Sequence, residues 1–180
     1  MPDRRPDEKV SGVTRISPLS HADRDELLDF ETKNRAYFAR SVPDRGDAYF
    51  TGFDERLEHL LVLQEAGTDL FFVVRDESGA VVGRVNLMDV EDGSAELGYR
   101  IAETAAGKGH ARAAVKMILT EAARVGVHVV RAMTTVDNVA SQRVLEACGF
   151  DRVSGEPAQV EGHGGRLQEA VHFRRRLAGQ

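Results

Sequence analysis

The order in which two kinds of apolar pattern follow each other constrains the fold of this chain most. Up to about residue 67 the apolar residues recur at helical spacing, and the stretch 47–65 predicts a long helix that Gly67 ends. From Leu70 onward, short apolar runs are separated by turn residues, and only in the second half do such runs alternate with helical stretches. This order predicts the α/β (α+β) class, with a mixed sheet that is antiparallel at its front and parallel at its centre.

About seven strands flanked by about four helices are predicted in a single domain. Residues 1–10 are expected to form a flexible tail, residues 11–180 the domain, and residues 34–47 an irregular loop. The strands are placed near residues 13–16, 70–74, 81–88, 96–101, 127–133, 150–153 and 169–175. The helices are placed near residues 23–30, 47–65, 108–125 and 138–148.

Composition and charge exclude several classes of protein. The 180 residues, 42% of them hydrophobic, suit one globular domain, and the net charge of −5 argues against a partner of duplex nucleic acid. The single cysteine, Cys148, excludes an intrachain disulfide and a four-thiolate zinc site, and no metal is expected. No apolar run is long enough to cross a membrane, and the charged residues 1–9 do not resemble a secretory signal. We therefore expect a cytoplasmic protein without a membrane partner.

The stretch 96–116, ELGYRIAETAAGKGHARAAVK, gives the strongest indication of a ligand. A predicted strand leads through Gly107, Lys108 and Gly109 into a helix, whose first backbone N–H groups are unpaired and carry partial positive charge. Glycines let such a backbone approach a diphosphate closely, and Lys108 and Arg112 would add charge. For a lone pair of glycines, a tight turn without a ligand is the alternative.

Two common phosphate-binding motifs do not fit these residues. A Walker loop requires Lys and then Ser or Thr after its last glycine, whereas Gly109 is followed by His110 and Ala111. The dinucleotide fingerprint requires a third glycine where this chain has Arg112.

A second segment, 138–150 with the sequence NVASQRVLEACGF, completes the pattern. The run from Ala106 to Ala111 is similar to the pyrophosphate loop of the Gcn5-related N-acetyltransferase (GNAT) superfamily, and Asn138 with Gly149 and Phe150 is similar to its later helix. Both motifs occur in the family's order of elements. The chain therefore resembles this superfamily over nearly its whole length.

Within the superfamily, the chain resembles the branch that acetylates the N-termini of ribosomal proteins. The similarity is carried by the run ELGY at 96–99, by Asn138 with Ser141, and by Asn34 followed by Arg35. The resemblance implies an acyltransferase in which a primary amine, here a protein or peptide N-terminus, attacks the thioester of acetyl-CoA directly. The alternatives are an acceptor that is a small-molecule amine, such as a polyamine or an aminoglycoside, and a non-catalytic module that binds acyl-CoA.

The resemblance also implies which residues hold acetyl-CoA. The expected cofactor-binding residues are Leu97, Gly98, Tyr99, Ala106, Gly107, Lys108, Gly109, His110, Ala111, Arg112 and Asn138. The chain departs from the family at two positions. Ala106 stands where Gln or Arg is usual, and Leu145 stands where many relatives have the Tyr that protonates the leaving thiolate.

Glu96 and Ser141 are the candidate catalytic residues. Glu96 is either a buried base whose pKa is raised toward neutral, or an exposed carboxylate paired with a cation such as Arg84. Ser141 is either the acid that protonates the thiolate or a first-turn helix residue that satisfies a backbone N–H group.

Four aromatic residues near the first helices have two possible roles as well. They either wall the acceptor cleft or pack in the core; they are Tyr37, Phe38, Tyr49 and Phe50. Exposed sheet edges would permit a homodimer.

Overall fold

A computed structural model describes residues 12–154, 159–161 and 166–177 of the chain. The predicted tail at residues 1–10 lies outside these residues. Within them the strands are β1 Arg15–Pro18, β2 Leu70–Arg75, β3 Val81–Glu91, β4 Ser94–Ile101, β5 Val129–Thr135, β6 Asp151–Val153, β7 Gln159–Glu161 and β8 Leu167–Arg176. The helices are α1 Arg24–Lys33, α2 Arg35–Phe38, α3 Asp47–Thr51, α4 Phe53–Ala66, α5 His110–Arg124 and α6 Val139–Ala147. Single 3₁₀ turns span His21–Asp23 and Glu103–Ala105.

One mixed sheet organises these elements. Its strands follow the order β1-β2-β3-β4-β5-β8-β6, and β7 pairs with β8. The mixed sheet with an antiparallel front is confirmed, and the parallel centre consists of the single pair β4 and β5 among the described strands. The sheet has eight strands rather than seven because the short strand β7 has no apolar run to announce it.

The parallel pair opens part of the way along its length, and this opening creates the site. The register of β4 and β5 runs from Ser94 opposite Val129 to Leu97 opposite Ala132. Beyond Leu97, β4 continues only along β3, and β5 continues to Thr135 only along β8. The two strands therefore separate in a V, and the β4 backbone on this side has no strand partner.

Two expectations for the first helices are wrong. The predicted helix at 47–65 is interrupted by Gly52, which leaves helical geometry at φ −97° and ψ 24° and separates α3 from α4. Glycine favours helix less than other residues apart from proline, so a break costs least there. The predicted loop at 34–47 begins with the helix α2, because Asn34 donates from Nδ2 to the carbonyl of Phe30 at 2.8 Å and the Phe30 and Phe38 rings lie 5.5 Å apart.

The helices α5 and α6 frame the opening from the second half of the chain. Gly107 and Gly109 take left-handed φ values of 72° and 85°, so α5 begins at His110 rather than at 108. At the end of α6, Gly149 is left-handed and the Phe150 N–H donates to the Leu145 carbonyl, which buries Phe150 as the sequence predicts. Among the described residues, no helix combines the length and apolar character that crossing a membrane requires.

Candidate active site

A cleft of ≈ 330 Å³ lies in the opening between β4 and β5. Its walls come from α2, from the end of β4, from the loop that enters α5, and from the first turns of α5 and α6. Side chains alternate across a strand, so Tyr99 and Arg100 at the end of β4 point to opposite sides. Tyr99 contacts Ser141 of α6, whereas the guanidinium of Arg100 lies 4.8 Å above the Phe38 ring of α2. The cleft therefore has an α6 side and an α2 side.

The start of α5 presents backbone N–H groups to this cleft. Gly109 occupies the N-cap position without a side-chain cap, and the first intrahelical bond runs from the Ala113 N–H to the Gly109 carbonyl. The N–H groups of His110 and Ala111 precede that bond, at the end of the helix where N–H groups have no intrahelical acceptor. Both residues also line the cleft, so their N–H groups and the helix dipole suit an anion such as a diphosphate.

The loop before α5 leaves room for such a group. Gly107 adopts a conformation that L side chains rarely take, and a Cβ built on it would project into open space. His110 is buried, and its Nδ1 shares a hydrogen bond of 2.9 Å with the hydroxyl of Thr14. The two residues are 96 positions apart in sequence, and their contact fixes the first residue of α5. The local sequence pattern therefore cannot predict it.

A polar network occupies the α6 side. The Oδ1 atom of Asn138 accepts from the Ser141 N–H at 3.1 Å and caps α6. The hydroxyl of Ser141 is thereby free of the capping role and lies 2.9 Å from the Tyr99 hydroxyl, which also donates to the Ser141 carbonyl at 3.2 Å. Burial raises the pKa of Tyr99 to about 12, outweighing the hydrogen bond with Ser141, so the phenol is protonated at neutral pH.

Two residues of α6 and its cap lack a role in the cleft. Leu145, at the position of the usual Tyr, is fully buried in the core. Cys148 is also buried, its thiol lies 3.7 Å from the Arg112 carbonyl, and burial raises its pKa. A thiol in this state is a packing residue rather than a nucleophile.

Of the two states that the sequence allowed for Glu96, the structure has the exposed, ion-paired one. Its side chain is 40% exposed, and its Oε1 atom lies 3.1 Å from Nε of Arg131, so the partner is Arg131 rather than Arg84. The carboxylate is not among the groups that line the cleft. It lies two residues before the strands separate, on the same face of β4 as Arg100.

The cleft brings together most residues that the sequence assigned to acetyl-CoA. Those that line it are Tyr99, Ala106, Gly107, Gly109, His110, Ala111, Arg112 and Asn138, together with Ser141. Leu97, Gly98 and Lys108 do not line it: Leu97 is buried in the core, a Cβ built on Gly98 would meet Cε of Met88 at 3.2 Å, and the side chain of Lys108 is exposed on the loop.

The four aromatic residues divide between the two roles that the sequence left open. Tyr37 and Phe38 line the cleft on its α2 side. Phe50 lines a small adjoining recess, and Tyr49 packs against the core with its ring 5.9 Å from that of Phe53.

A cluster of arginines on this α2 side was missed by sequence reasoning. Glu31 of α1 is 2% exposed, accepts from Nη1 of Arg84 at 2.8 Å, and pairs with Arg100 at 3.3 Å. Arg45 lines the same recess as Glu31 and Arg100. The cluster is formed by residues from α1, a loop and two strands, so no local sequence motif predicts it. The only indication in the sequence was the presence of charged residues in the otherwise apolar strands β3 and β4.

The cluster perturbs the pKa values of its members. Burial raises the pKa of Glu31, but Arg84, Arg45 and Arg100 outweigh it, and the net pKa lies below its ordinary value. Burial also lowers the pKa of Arg100 to about 10, with Arg45 adding to the effect. Among the described residues, no group of three or more His, Cys, Asp or Glu side chains is arranged to hold a metal ion.

Comparison with known proteins agrees with this geometry. The family model described as "Acetyltransferase (GNAT) domain" matches residues 14–151. The probable N-acetyltransferase YjcK of Bacillus subtilis (strain 168) is 26% identical over 144 residues, which cover 76% of this chain and 80% of that protein.

Solved structures show the same fold. Ribosomal-protein-S5-alanine acetyltransferase from Vibrio fischeri superposes with a TM-score of 0.83 at 22% identity, over 91% of this chain and 92% of that one. Spermidine N-acetyltransferase from Vibrio cholerae, in complex with CoA and spermine, superposes with a TM-score of 0.74 at 22% identity, over 91% and 95%.

Proposed function

Because the chain belongs to the GNAT acetyltransferase family and is an acyltransferase that uses acetyl-CoA, we propose that it acetylates the α-amine of a protein or peptide N-terminus. The observation that carries the proposal is the two-sided cleft between β4 and β5. One side offers the first N–H groups of α5, at His110 and Ala111, to a diphosphate, and the other offers Tyr37 and Phe38 to an acceptor.

Acetyl-CoA fits the α5 and α6 sides of this cleft. The diphosphate would lie against the N–H groups of His110 and Ala111, without the side-chain contact that Ala106 cannot make. The pantetheine would run along the unpaired edge of β4 toward Asn138. Backbone N–H groups near Gly98 and Tyr99, where β4 leaves β5, would then stabilise the charge on the thioester oxygen during attack.

The acceptor amine must lose a proton before it attacks, because an ammonium has no lone pair. Glu96 is the proposed base, and it would receive the proton through water because it lies outside the cleft lining. Its ion pair with Arg131 orients the carboxylate at the start of the strand separation.

The leaving thiolate is proposed to take a proton from Ser141. The phenol has one proton, which it can donate either to the carbonyl or to Oγ of Ser141; when it donates to Oγ, the Ser141 proton is directed away from Tyr99 and toward the cleft. Tyr99 then replaces the proton that Ser141 gives to sulfur, and solvent returns a proton to the phenolate. Because the thiol of CoA has a pKa of about 8.5, this help accelerates departure without being indispensable.

One alternative concerns the acceptor. Spermidine N-acetyltransferase shares this fold, so a small amine is the competing acceptor. The non-catalytic module that the sequence also allowed is set aside, because the chain belongs to a family of acetyltransferases. A cytoplasmic location, where acetyl-CoA is available, and a homodimer formed through a sheet edge are further parts of the proposal.

A transfer assay against a panel of amines tests the acceptor class. The panel contains peptides with free and blocked N-termini, spermidine and an aminoglycoside, and mass spectrometry locates the acetyl group. Acetylation of free N-termini alone supports the proposal. Acetylation restricted to small amines would replace it with the polyamine-type alternative, and the absence of transfer to every free N-terminus would contradict it.

A further inference from the structure

We propose that the acceptor amine carries a carboxylate close to its reacting nitrogen, and that Arg100 and Arg45 receive this carboxylate on the α2 side of the cleft. The inference rests on the proposed function, since it assigns the chemical class of the acceptor in the same site. In a peptide acceptor the carboxylate belongs to an acidic side chain within the first few residues.

The positive charge on this side of the cleft exceeds the negative charge. Arg45, Arg84 and Arg100 surround a single buried carboxylate, Glu31. Arg84 is enclosed with Glu31, its side chain being 6% exposed, and makes the shorter of the two ion pairs. Glu31 neutralises one of these three cations, while the neighbouring Arg35 pairs with both Asp44 and Asp47, so the four arginines and three carboxylates leave one net positive charge in partly buried surroundings. Burying charge without a counterion is unfavourable, and a bound anion removes that cost.

Arg100 is placed to meet a ligand. It lines both the cleft and the adjoining recess, and its side chain is 22% exposed. Its Nη1 atom is held by Glu31 at 3.3 Å and its guanidinium stacks on Phe38, which together fix the plane of the group. A planar guanidinium with remaining N–H donors suits a carboxylate.

Arg45 is the arginine of the cluster that Glu31 does not pair with. Within the described residues it makes no ion pair, and its guanidinium lies 4.4 Å above the Tyr49 ring. It lines the recess together with Arg100. Burial lowers the pKa of Arg45 and outweighs the opposing effects of Glu31 and Tyr49, and the neighbouring Arg84 and Arg56 lower it further.

The same charges disfavour polyamines. A second cationic group on the acceptor would have to approach Arg100, and juxtaposed like charges are repulsive. The acidic partners that a polycation needs are occupied on this side: Glu31 is enclosed by arginines, and Asp44 and Asp47 pair with Arg35. The cleft therefore selects against spermidine by charge.

The experiment compares three peptides that differ at one position. Their N-termini are Ala-Glu, Ala-Gln and Ala-Lys, followed by an identical sequence, and kcat/KM is measured for each with saturating acetyl-CoA. We expect the Glu peptide to exceed the Gln peptide by at least about tenfold, which corresponds to about 1.4 kcal/mol. The Lys peptide should be the poorest, and added salt should shrink the differences.

Variants assign the effect to the cluster. Arg45→Gln leaves both ion pairs of Glu31 intact and should reduce the Glu-to-Gln ratio to within about threefold of unity. Arg100→Lys keeps the charge but loses the planar group, so the ratio should fall less. The control, Arg24→Gln, removes an exposed arginine that pairs with Asp25 and Asp54, and should leave the ratio unchanged. Because each ratio compares substrates on one enzyme, a partial loss of folding cancels.

The outcomes separate this inference from the proposed function. Equal rates for the three peptides, or a ratio that Arg45→Gln leaves intact, would overturn the inference while acetylation of N-termini stands. If no peptide is acetylated, the proposed function fails, and the inference is then decided by calorimetry of the same peptides with the CoA-bound protein. Tighter binding of the Glu peptide that is lost in Arg45→Gln would uphold a carboxylate site, and equal binding would reject it.

Discussion

The hydroxyl groups of Tyr99 and Ser141 lie 2.9 Å apart, although 42 residues separate them in sequence. The contact joins the end of β4 to the first turn of α6 across the cleft. The protonated phenol of Tyr99 therefore lies next to the Ser141 hydroxyl. Ser141 is the candidate acid because Leu145 stands where many relatives have the Tyr that serves as one.

If the two hydroxyls act in one relay, their losses are not additive. Tyr99→Phe and Ser141→Ala should each lower kcat by about tenfold, or about 1.4 kcal/mol of barrier, and the double variant should be little slower than Ser141→Ala. Both single variants should bind acetyl-CoA as the wild type does. Additive losses in a double-mutant cycle would show that the hydroxyls act independently.

The pKa of Tyr99 also has a kinetic consequence. A donor fails when it loses its proton, so a phenol with a pKa of about 12 remains competent throughout the usual assay range. The pH profile of kcat for the wild type should therefore have no falling limb below about pH 10 that is caused by Tyr99. A limb with that cause would be present in the wild type and absent from Tyr99→Phe. Such a limb would mean that the phenol titrates far lower than its burial implies.

Glu96→Gln tests the proposed base. Removing a base typically costs about 10²- to 10⁴-fold in rate, and because this one acts through water we expect the lower end of that range. Raising the pH should partly restore kcat by supplying free amine. Arg131→Gln, which removes only the ion-pair partner, should cost much less. Wild-type kcat for Glu96→Gln across the profile would eliminate this carboxylate.

Gly109→Asp tests the diphosphate site. The change places a negative charge at the N-cap of α5, where affinity for acetyl-CoA should fall by at least about tenfold. Gly126→Asp is the matched control, because Gly126 has a similar left-handed φ of 82° just beyond the other end of α5. Calorimetry should show near-normal affinity for the control. Equal affinities for the two variants, both folded, would exclude the α5 N-terminus as the site.

Glu31→Gln should destabilise the fold, because it leaves Arg84 and Arg100 buried without their counterion. Breaking such a buried pair costs about 3–5 kcal/mol in the free energy of unfolding, whereas Glu103→Gln at an exposed pair with Arg40 should cost less than about 1 kcal/mol. Urea unfolding measures both changes, and similar values for the two would contradict a stabilising role for Glu31.

The same carboxylate predicts a pH dependence. The pKa of Glu31 is lowered in the folded protein, so its contribution is fully present above the unfolded value of about 4.3 and is lost as the pH falls below it. The free energy of unfolding of Glu31→Gln should therefore decline less between about pH 5 and pH 3 than that of the wild type.

Local patterns were sufficient for much of the fold and for the side of the cleft that is proposed to hold acetyl-CoA. The glycines at 107 and 109, the cap at Asn138 and the Phe150 contact all depend on neighbours in sequence, and the structure has each of them. The break at Gly52 was not foreseen, because the helical spacing of apolar residues continues on both sides of the glycine. The helix α2 was not foreseen, because the contact between Phe30 and Phe38 joins it to α1.

The rest of the site depends on contacts between distant segments. Glu31 and Arg84 are 53 residues apart, and Glu96 meets Arg131 only because β4 and β5 are parallel neighbours. A strand pattern shows that a charged residue lies on one face but not which charge it meets there. This is why the sequence left the state of Glu96 open and missed the arginine cluster.

The central claim is that this cleft transfers acetyl groups to peptide N-termini, and one labelling experiment tests it most directly. Wild-type protein is incubated with isotopically labelled acetyl-CoA and a peptide that carries both a free α-amine and an internal lysine. The account predicts that fragmentation by mass spectrometry places the label on the α-amine, that free CoA appears in equal amount, and that Gly109→Asp slows both together. Release of CoA without a labelled peptide, or label on the lysine alone, would contradict it.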